Sequence, residues 1–313
     1  MRKRLTALLL SCLLAASLAG CAAPRDGGRI TVVASIFPEY DWARQIIGPD
    51  SDIEMRLLVD DGVDPHSFQP TVGDMVTVAR CDLLIFGGGE SDEWLGEVLE
   101  ESPKAGRQVV ELLPLLGERA HTAEAVEGMQ VREDEAETDE HVWLSLKNAA
   151  LFCTEIAQAL CRIDPANAET YQKNLNDYLL KLDELDRRYQ ETVAKGAAGT
   201  ILLCDRFPFR YLVEDYKLQY YAAFPGCSAE SGASFATVVF LADRVKELEL
   251  NAVLVLEGSD SRIARTVAEN SGRDDVKILT LDSMQSVSLA DAAERDYLTI
   301  MEQNRQVLEQ ALG

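Results

Sequence analysis

Residues 164–196 read DPANAETYQKNLNDYLLKLDELDRRYQETVAKG. Leu175, Tyr178, Leu179, Leu182 and Leu185 recur at steps of three and four, which gathers them on one face of an α-helix. Pro165 stands where a first-turn proline belongs, and Gly196 ends the run as a C-cap glycine. A helix of about 30 residues spans roughly 45 Å, the length of a whole small domain. In the middle of a 313-residue chain such an element is a strut, and the sequence on either side says what it joins.

From Ile30 onward, short apolar runs alternate with amphipathic stretches. ITVVASI, DIEMRLLV, DLLIFGG and RQVVEL are predicted strands, with YDWARQII, VGDMVTVARC and EWLGEVLEE as helices between them. Alternation at this spacing argues for βαβ units and a parallel sheet. Residues 117–140 are polar and acidic without a period and read as a long surface loop, a kind that is usually functional or disordered. KNAALFCTEIAQALCRI then leads into the strut. Beyond Gly196 the alternation resumes. TILLC, LQYYAAF, NAVLVLE and VKILTLD are strands, surrounded by FRYLVEDY, FATVVFLADRVKELE, SRIARTVAENS and a long C-terminal helix from about Leu289. The fold class is α/β: two lobes, residues 30–164 and 197–313, each a parallel sheet flanked by helices, joined by a rigid helix over residues 165–196.

Acidic residues outnumber basic ones 53 to 30, for a formal charge of -23. That argues against a nucleic-acid partner, whose binding rests on Lys and Arg neutralising phosphates. It suits a surface that tolerates cations without specifying one. MRKR followed by LTALLLSCLLAASLAG is a basic n-region and an apolar stretch too short for a spanning helix. Leu18-Ala19-Gly20-Cys21 resembles the lipobox of bacterial lipoproteins. This implies a signal peptide over residues 1–20, lipid on the sulfur of Cys21, a flexible tether over residues 21–29, and an extracytoplasmic protein anchored to the cell membrane. Five further cysteines, Cys81, Cys153, Cys161, Cys204 and Cys227, show no metal-type spacing. Cys153 and Cys161 stand about two helical turns apart, roughly 12 Å, too far to bridge. All five read as buried thiols.

Histidine is scarce: His66 in LLVDDGVDPHSFQP, His121 in the acidic loop and His141 in DEHVWLS. Gly87-Gly88-Gly89 follows a strand but lacks the P-loop pattern, and no nucleophile–base signature supports catalysis. GVDPHSFQP, ARCDLLIFGGGESDEWL, HVWLSLKNAALFCTEIAQALCRIDPANAETYQKNLNDY, SAESGAS, LTLDSM and YLTIMEQNRQVLEQAL occur in that order. With them the chain resembles the metal-binding solute-binding lipoproteins of bacterial zinc and manganese ABC importers over nearly everything from Ile30 to Leu312. The resemblance implies two Rossmann-like lobes, a rigid connecting helix and one divalent metal in the cleft.

Carried over by position, the resemblance puts metal ligands on His66, His141 and Asp282. Imidazole suits Zn²⁺ and other borderline ions, and carboxylate oxygen suits harder Mn²⁺. The remaining ligand, a His or Glu in the family, falls on Arg206 within CDRFPFRYL. Arginine stays protonated and offers no lone pair. Asp205 can ligate but lies one residue off register, and neighbours on a strand point to opposite faces. The expectation is that Asp205 faces the metal while Arg206 turns away to an acid such as Glu230 or Glu257. Asp139-Glu140-His141 also replaces the family's Asp-Pro-His, and the acidic loop carries His121 where many zinc members have a histidine-rich run.

The expected function is capture of Zn²⁺ or Mn²⁺ and delivery to an ABC permease by a monomer that catalyses nothing. Three readings compete with it: a metallohydrolase, a binding protein of this fold with another ligand, and an adhesin that keeps the fold.

Overall fold

The computed structural model describes residues 28–60, 62–122, 125–131, 138–227 and 232–313. The signal peptide and Cys21 lie outside the described residues. Strand β1 (Thr31–Ala34) is followed by helix α1 (Phe37–Ile47), β2 (Glu54–Leu57), α2 (Val72–Arg80), β3 (Leu83–Phe86), α3 (Glu93–Glu101), β4 (Gln108–Glu111) and a short α4 (Leu112–Leu116). All pairings are parallel, in the order β2-β1-β3-β4. Every residue of β3 is buried, as expected of a central parallel strand covered on both faces. In the glycine loop after it, the N–H groups of Gly87 and Gly88 donate to Asp92 (2.8 and 3.3 Å), so this loop holds a carboxylate of its own chain.

Helix α5 (Leu146–Ile163) leads to α6 (Ala168–Lys195), the strut, preceded by a single 3₁₀ turn at Pro165–Asn167. The strut serves both lobes. At its N-terminal end Asn174 donates to the carbonyl of Ile46 on α1 (3.0 Å). Towards its C-terminal end Tyr189 donates to the carbonyl of Met301 (2.6 Å) and stacks on Tyr216 with ring centroids 5.0 Å apart. Gly196 closes it, but not in the left-handed conformation of a glycine C-cap: its φ is -60°. The reason for glycine is space, since a Cβ there would lie 2.7 Å from Cβ of Leu312.

The second lobe runs β5 (Thr200–Phe207), α7 (Arg210–Tyr216), β6 (Gln219–Pro225), α8 (Phe235–Glu247), β7 (Ala252–Leu256), α9 (Arg262–Asn270) and β8 (Lys277–Leu281). Its sheet is parallel with order β6-β5-β7-β8. The C-terminal helix expected from Leu289 is two helices, α10 (Leu289–Ala292) and α11 (Tyr297–Leu312). Asp296 restarts the second in extended backbone, and its carboxylate accepts the N–H of Thr299 at 2.7 Å. The N–H of Tyr297 reaches Asp41 of α1 (2.9 Å) and its hydroxyl the carbonyl of Trp143 (2.6 Å), so α11 ties the second lobe to the first. One apolar core accordingly runs from Val32 and Trp42 through Leu182 to Leu312.

The acidic loop does not stand clear of the body in its described parts. Gln130 donates its N–H to Ala223 of β6 (2.9 Å), covering an edge strand, and its side chain accepts the N–H of Ser234 (2.8 Å). No helix among the described residues is long and apolar enough to cross a membrane.

Candidate metal site

Beyond β2 the chain turns into a single 3₁₀ turn, Pro65–Ser67. Asp64 caps it, accepting the N–H of His66 at 3.0 Å. The imidazole of His66 has Ser91 Oγ 2.9 Å from Nδ1. His141 is held more tightly, with no solvent exposure. The Tyr211 hydroxyl donates to the carbonyl of Asp139 (3.0 Å), and Asp139 Oδ1 accepts both the backbone N–H and Nδ1 of His141, each at 2.9 Å. A carboxylate accepts and does not donate, so the imidazole proton sits on Nδ1 and the lone pair on Nε2.

The two Nε2 atoms face each other at 3.4 Å. Two nitrogens each bound to a tetrahedral zinc at ordinary bond length stand about 3.3 Å apart, so this pair is already spaced for one ion. Burial, and then the neighbouring His141, push the His66 imidazole down to about 4. It is therefore neutral in the neutral pH range, the form that can ligate. From the second lobe, Gln285 places its Nε2 3.2 Å from that of His141.

Among the described residues, one group of three metal-type side chains brings its ligand atoms within 4.8 Å of one another: His66, His141 and Cys227. Asp205 and Asp282, expected as ligands, are not part of it. Asp205 lies on β5, which runs on through Phe207 instead of ending at Cys204. Between Leu203 and Arg206 the strand carries one residue more than β6 beside it. Such a bulge re-aims the side chains it carries. Asp205 here accepts the N–H of Arg206 (3.0 Å), and the Arg206 guanidinium is ion-paired with Asp64. This corrects the expected partner. Glu257 instead receives the N–H (2.8 Å) and hydroxyl of Ser283, and Glu230 lies outside the described residues. Burial alone would raise the Asp64 carboxyl, but Arg206 and the N–H of His66 hold it below the ordinary range. Asp282 accepts the N–H of Met284 (2.8 Å) and pairs with Arg295.

Cys227 was not legible as a site residue, because its partners are distant in sequence. The available signal was its place two residues past β6, since open α/β sheets bind ligands beyond the carboxyl ends of their strands. Gly226 before it is required by space: a Cβ would lie 2.9 Å from the carbonyl oxygen of Phe207 and 3.1 Å from His141 Cε1. The five cysteines among the described residues are not in disulfides, and Cys161 and Cys227 are only half-buried.

Two parallel α/β lobes on one continuous helix, with paired imidazoles between them, define a class: cleft proteins with a rigid back and an ion-sized polar site. The family model ZnuA, described as zinc-uptake complex component A, periplasmic, matches residues 32–311, and the chain belongs to that family. It is 27% identical over 307 residues to the high-affinity zinc uptake system protein ZnuA of Bacillus subtilis, covering 93% of this chain and 90% of that one. It is 26% identical over 309 residues to the zinc-binding lipoprotein AdcA of Streptococcus pneumoniae, covering 97% of this chain but only 60% of that relative's length. The crystal structure of the metal-dependent lipoprotein YcdH from Bacillus subtilis matches with a TM-score of 0.74 at 26% identity, over 91% of this chain and 100% of that one.

Proposed function

We propose that the protein is the extracytoplasmic solute-binding component of an ABC importer, taking a divalent transition metal into the inter-lobe cleft and passing it to a membrane permease. The observation that carries this is the pair of Nε2 atoms at 3.4 Å, one of them with its lone pair set by Asp139. Membership of a zinc-uptake family, and relatives named for zinc uptake and zinc binding, support the cargo and the transport role. Lipid on Cys21 would hold the protein at the membrane as a monomer. A binding role without catalysis is supported by relatives named for zinc binding and zinc uptake.

Metal analysis of protein purified without chelator, followed by calorimetric titration with Zn²⁺, tests the reading. His66→Ala and His141→Ala are each expected to weaken binding at least tenfold, about 1.4 kcal/mol. Wild-type affinity in both variants overturns it.

A further inference from the structure

We infer that Cys227 is a ligand of this site, and that its thiolate turns the cleft toward soft and borderline divalent ions, zinc over manganese. The inference rests on the metal-binding reading above. It begins from a gap. Both imidazoles belong to the first lobe, and the second-lobe position to which the resemblance assigns a ligand holds Arg206, which has no lone pair and is engaged with Asp64. Asp282 is engaged with Arg295. Besides Gln285, what the second lobe brings to the imidazoles among the described residues is the sulfur of Cys227.

The local structure delivers it there. β6 ends at Pro225, and Gly226 passes between the Phe207 carbonyl and the His141 ring through a space that no Cβ fits. Cys227 follows at once, with Sγ inside the 4.8 Å envelope of both imidazoles. In a tetrahedral zinc site a nitrogen and a sulfur ligand stand about 3.6 Å apart, so closing on an ion asks for about 1 Å of movement by a half-buried loop side chain. On binding, the thiol loses its proton to solvent and the sulfur lone pair forms the bond to the ion. Two neutral imidazoles and one thiolate leave the bound ion at +1, while Asp64 offsets Arg206. Two nitrogens and a sulfur are a donor set that suits Zn²⁺ and gives poor support to Mn²⁺, which favours oxygen.

The test is a titration of the full-length, reduced, metal-stripped protein with Co²⁺, Zn²⁺ and Mn²⁺. Expected for the wild type is near-ultraviolet thiolate-to-cobalt charge-transfer absorption. Cys227→Ser should lose that absorption while keeping the visible cobalt bands and an unchanged melting curve. It should bind Zn²⁺ at least tenfold more weakly, with less than a threefold change for Mn²⁺. If the wild-type cobalt complex lacks the charge-transfer band, or Cys227→Ser binds Zn²⁺ like wild type while His66→Ala does not, the cysteine assignment is wrong and the metal-binding reading stands. If His66→Ala also binds Zn²⁺ like wild type, both fail.

Discussion

Arg206 on β5 of the second lobe is ion-paired with Asp64, two residues before His66 in the first. The pair closes the two lobes on each other beside the imidazoles and puts a fixed positive charge near a site for cations. That charge is one of the influences that hold His66 in its neutral form.

Removing the guanidinium should therefore help a cation. In Arg206→Gln the Asp64 carboxylate loses its counter-charge, and Zn²⁺ affinity is expected to rise by a few-fold up to about tenfold, more at low salt than at high. Asp205→Asn should leave affinity unchanged, because that side chain accepts the N–H of its neighbour outside the group of ligand atoms. Calorimetry at two salt concentrations measures both. A weaker Arg206→Gln together with a weaker Asp205→Asn would restore Asp205 as the residue that faces the metal.

Asp139 should matter for binding although it is not a ligand. It sets the His141 tautomer through Nδ1, and loss of such an outer-shell partner typically costs 10–100-fold in metal affinity. Asp139→Asn is expected to lower Zn²⁺ affinity in that range with little change in the melting temperature. Equal losses in both would mean that the residue acts on the fold alone.

Stability should fall as pH rises through the weakly acidic range. Glu39, fully buried, and Asp92, half-buried, both lie beside the hydroxyl of Ser35. Burial is the main cause that raises both carboxyls, Asp92 to about 7 and Glu39 well above its ordinary range. A folded-state pKa above the unfolded one means that the native state binds more protons. The stability that Asp92 contributes is complete below about pH 4 and is lost as pH climbs to about 7, with a slope of about 1.4 kcal/mol per pH unit, and Glu39 adds a loss of the same sign. Asp92→Asn removes one titrating group and keeps an oxygen for Gly87 and Gly88. Denaturant midpoints from pH 4 to 7 should fall less steeply in this variant, and an unchanged slope would refute the assignment.

Metal binding should move the lobes little. The strut is continuous from Ala168 to Lys195, and Trp143 of the first lobe donates to the Ser283 carbonyl of the second at 2.8 Å. Bending such a helix at its middle would break several backbone hydrogen bonds, unlike the rotation of a loop hinge. Small-angle scattering curves with and without Zn²⁺ are expected to superimpose, and a marked contraction in radius of gyration would contradict this.

The elements of both lobes were legible because the periodicities that encode them lie between near neighbours: the all-buried LLIF of β3, or the three- and four-residue steps of the strut. The break before Tyr297 was not legible. It depends on an Asp296 cap, and the Tyr297 N–H is satisfied by Asp41 from the opposite end of the chain. His66 and His141 stood out by scarcity and by their loops, and the structure brings them together. Cys227 carried no such mark.

Local pattern by itself determined two α/β lobes, the helix between them and the two imidazole-bearing loops, since helix and strand periods are properties of short segments. Tertiary structure alone decided what meets those imidazoles. One extra residue in β5 reset which way Asp205 and Arg206 point, and an ion pair between residues 142 positions apart gave Arg206 to Asp64. A gap of glycine size beside His141 brought Cys227 to the site. A side chain's neighbours across a cleft follow from how sheets register and lobes close, and no stretch of neighbouring residues encodes that.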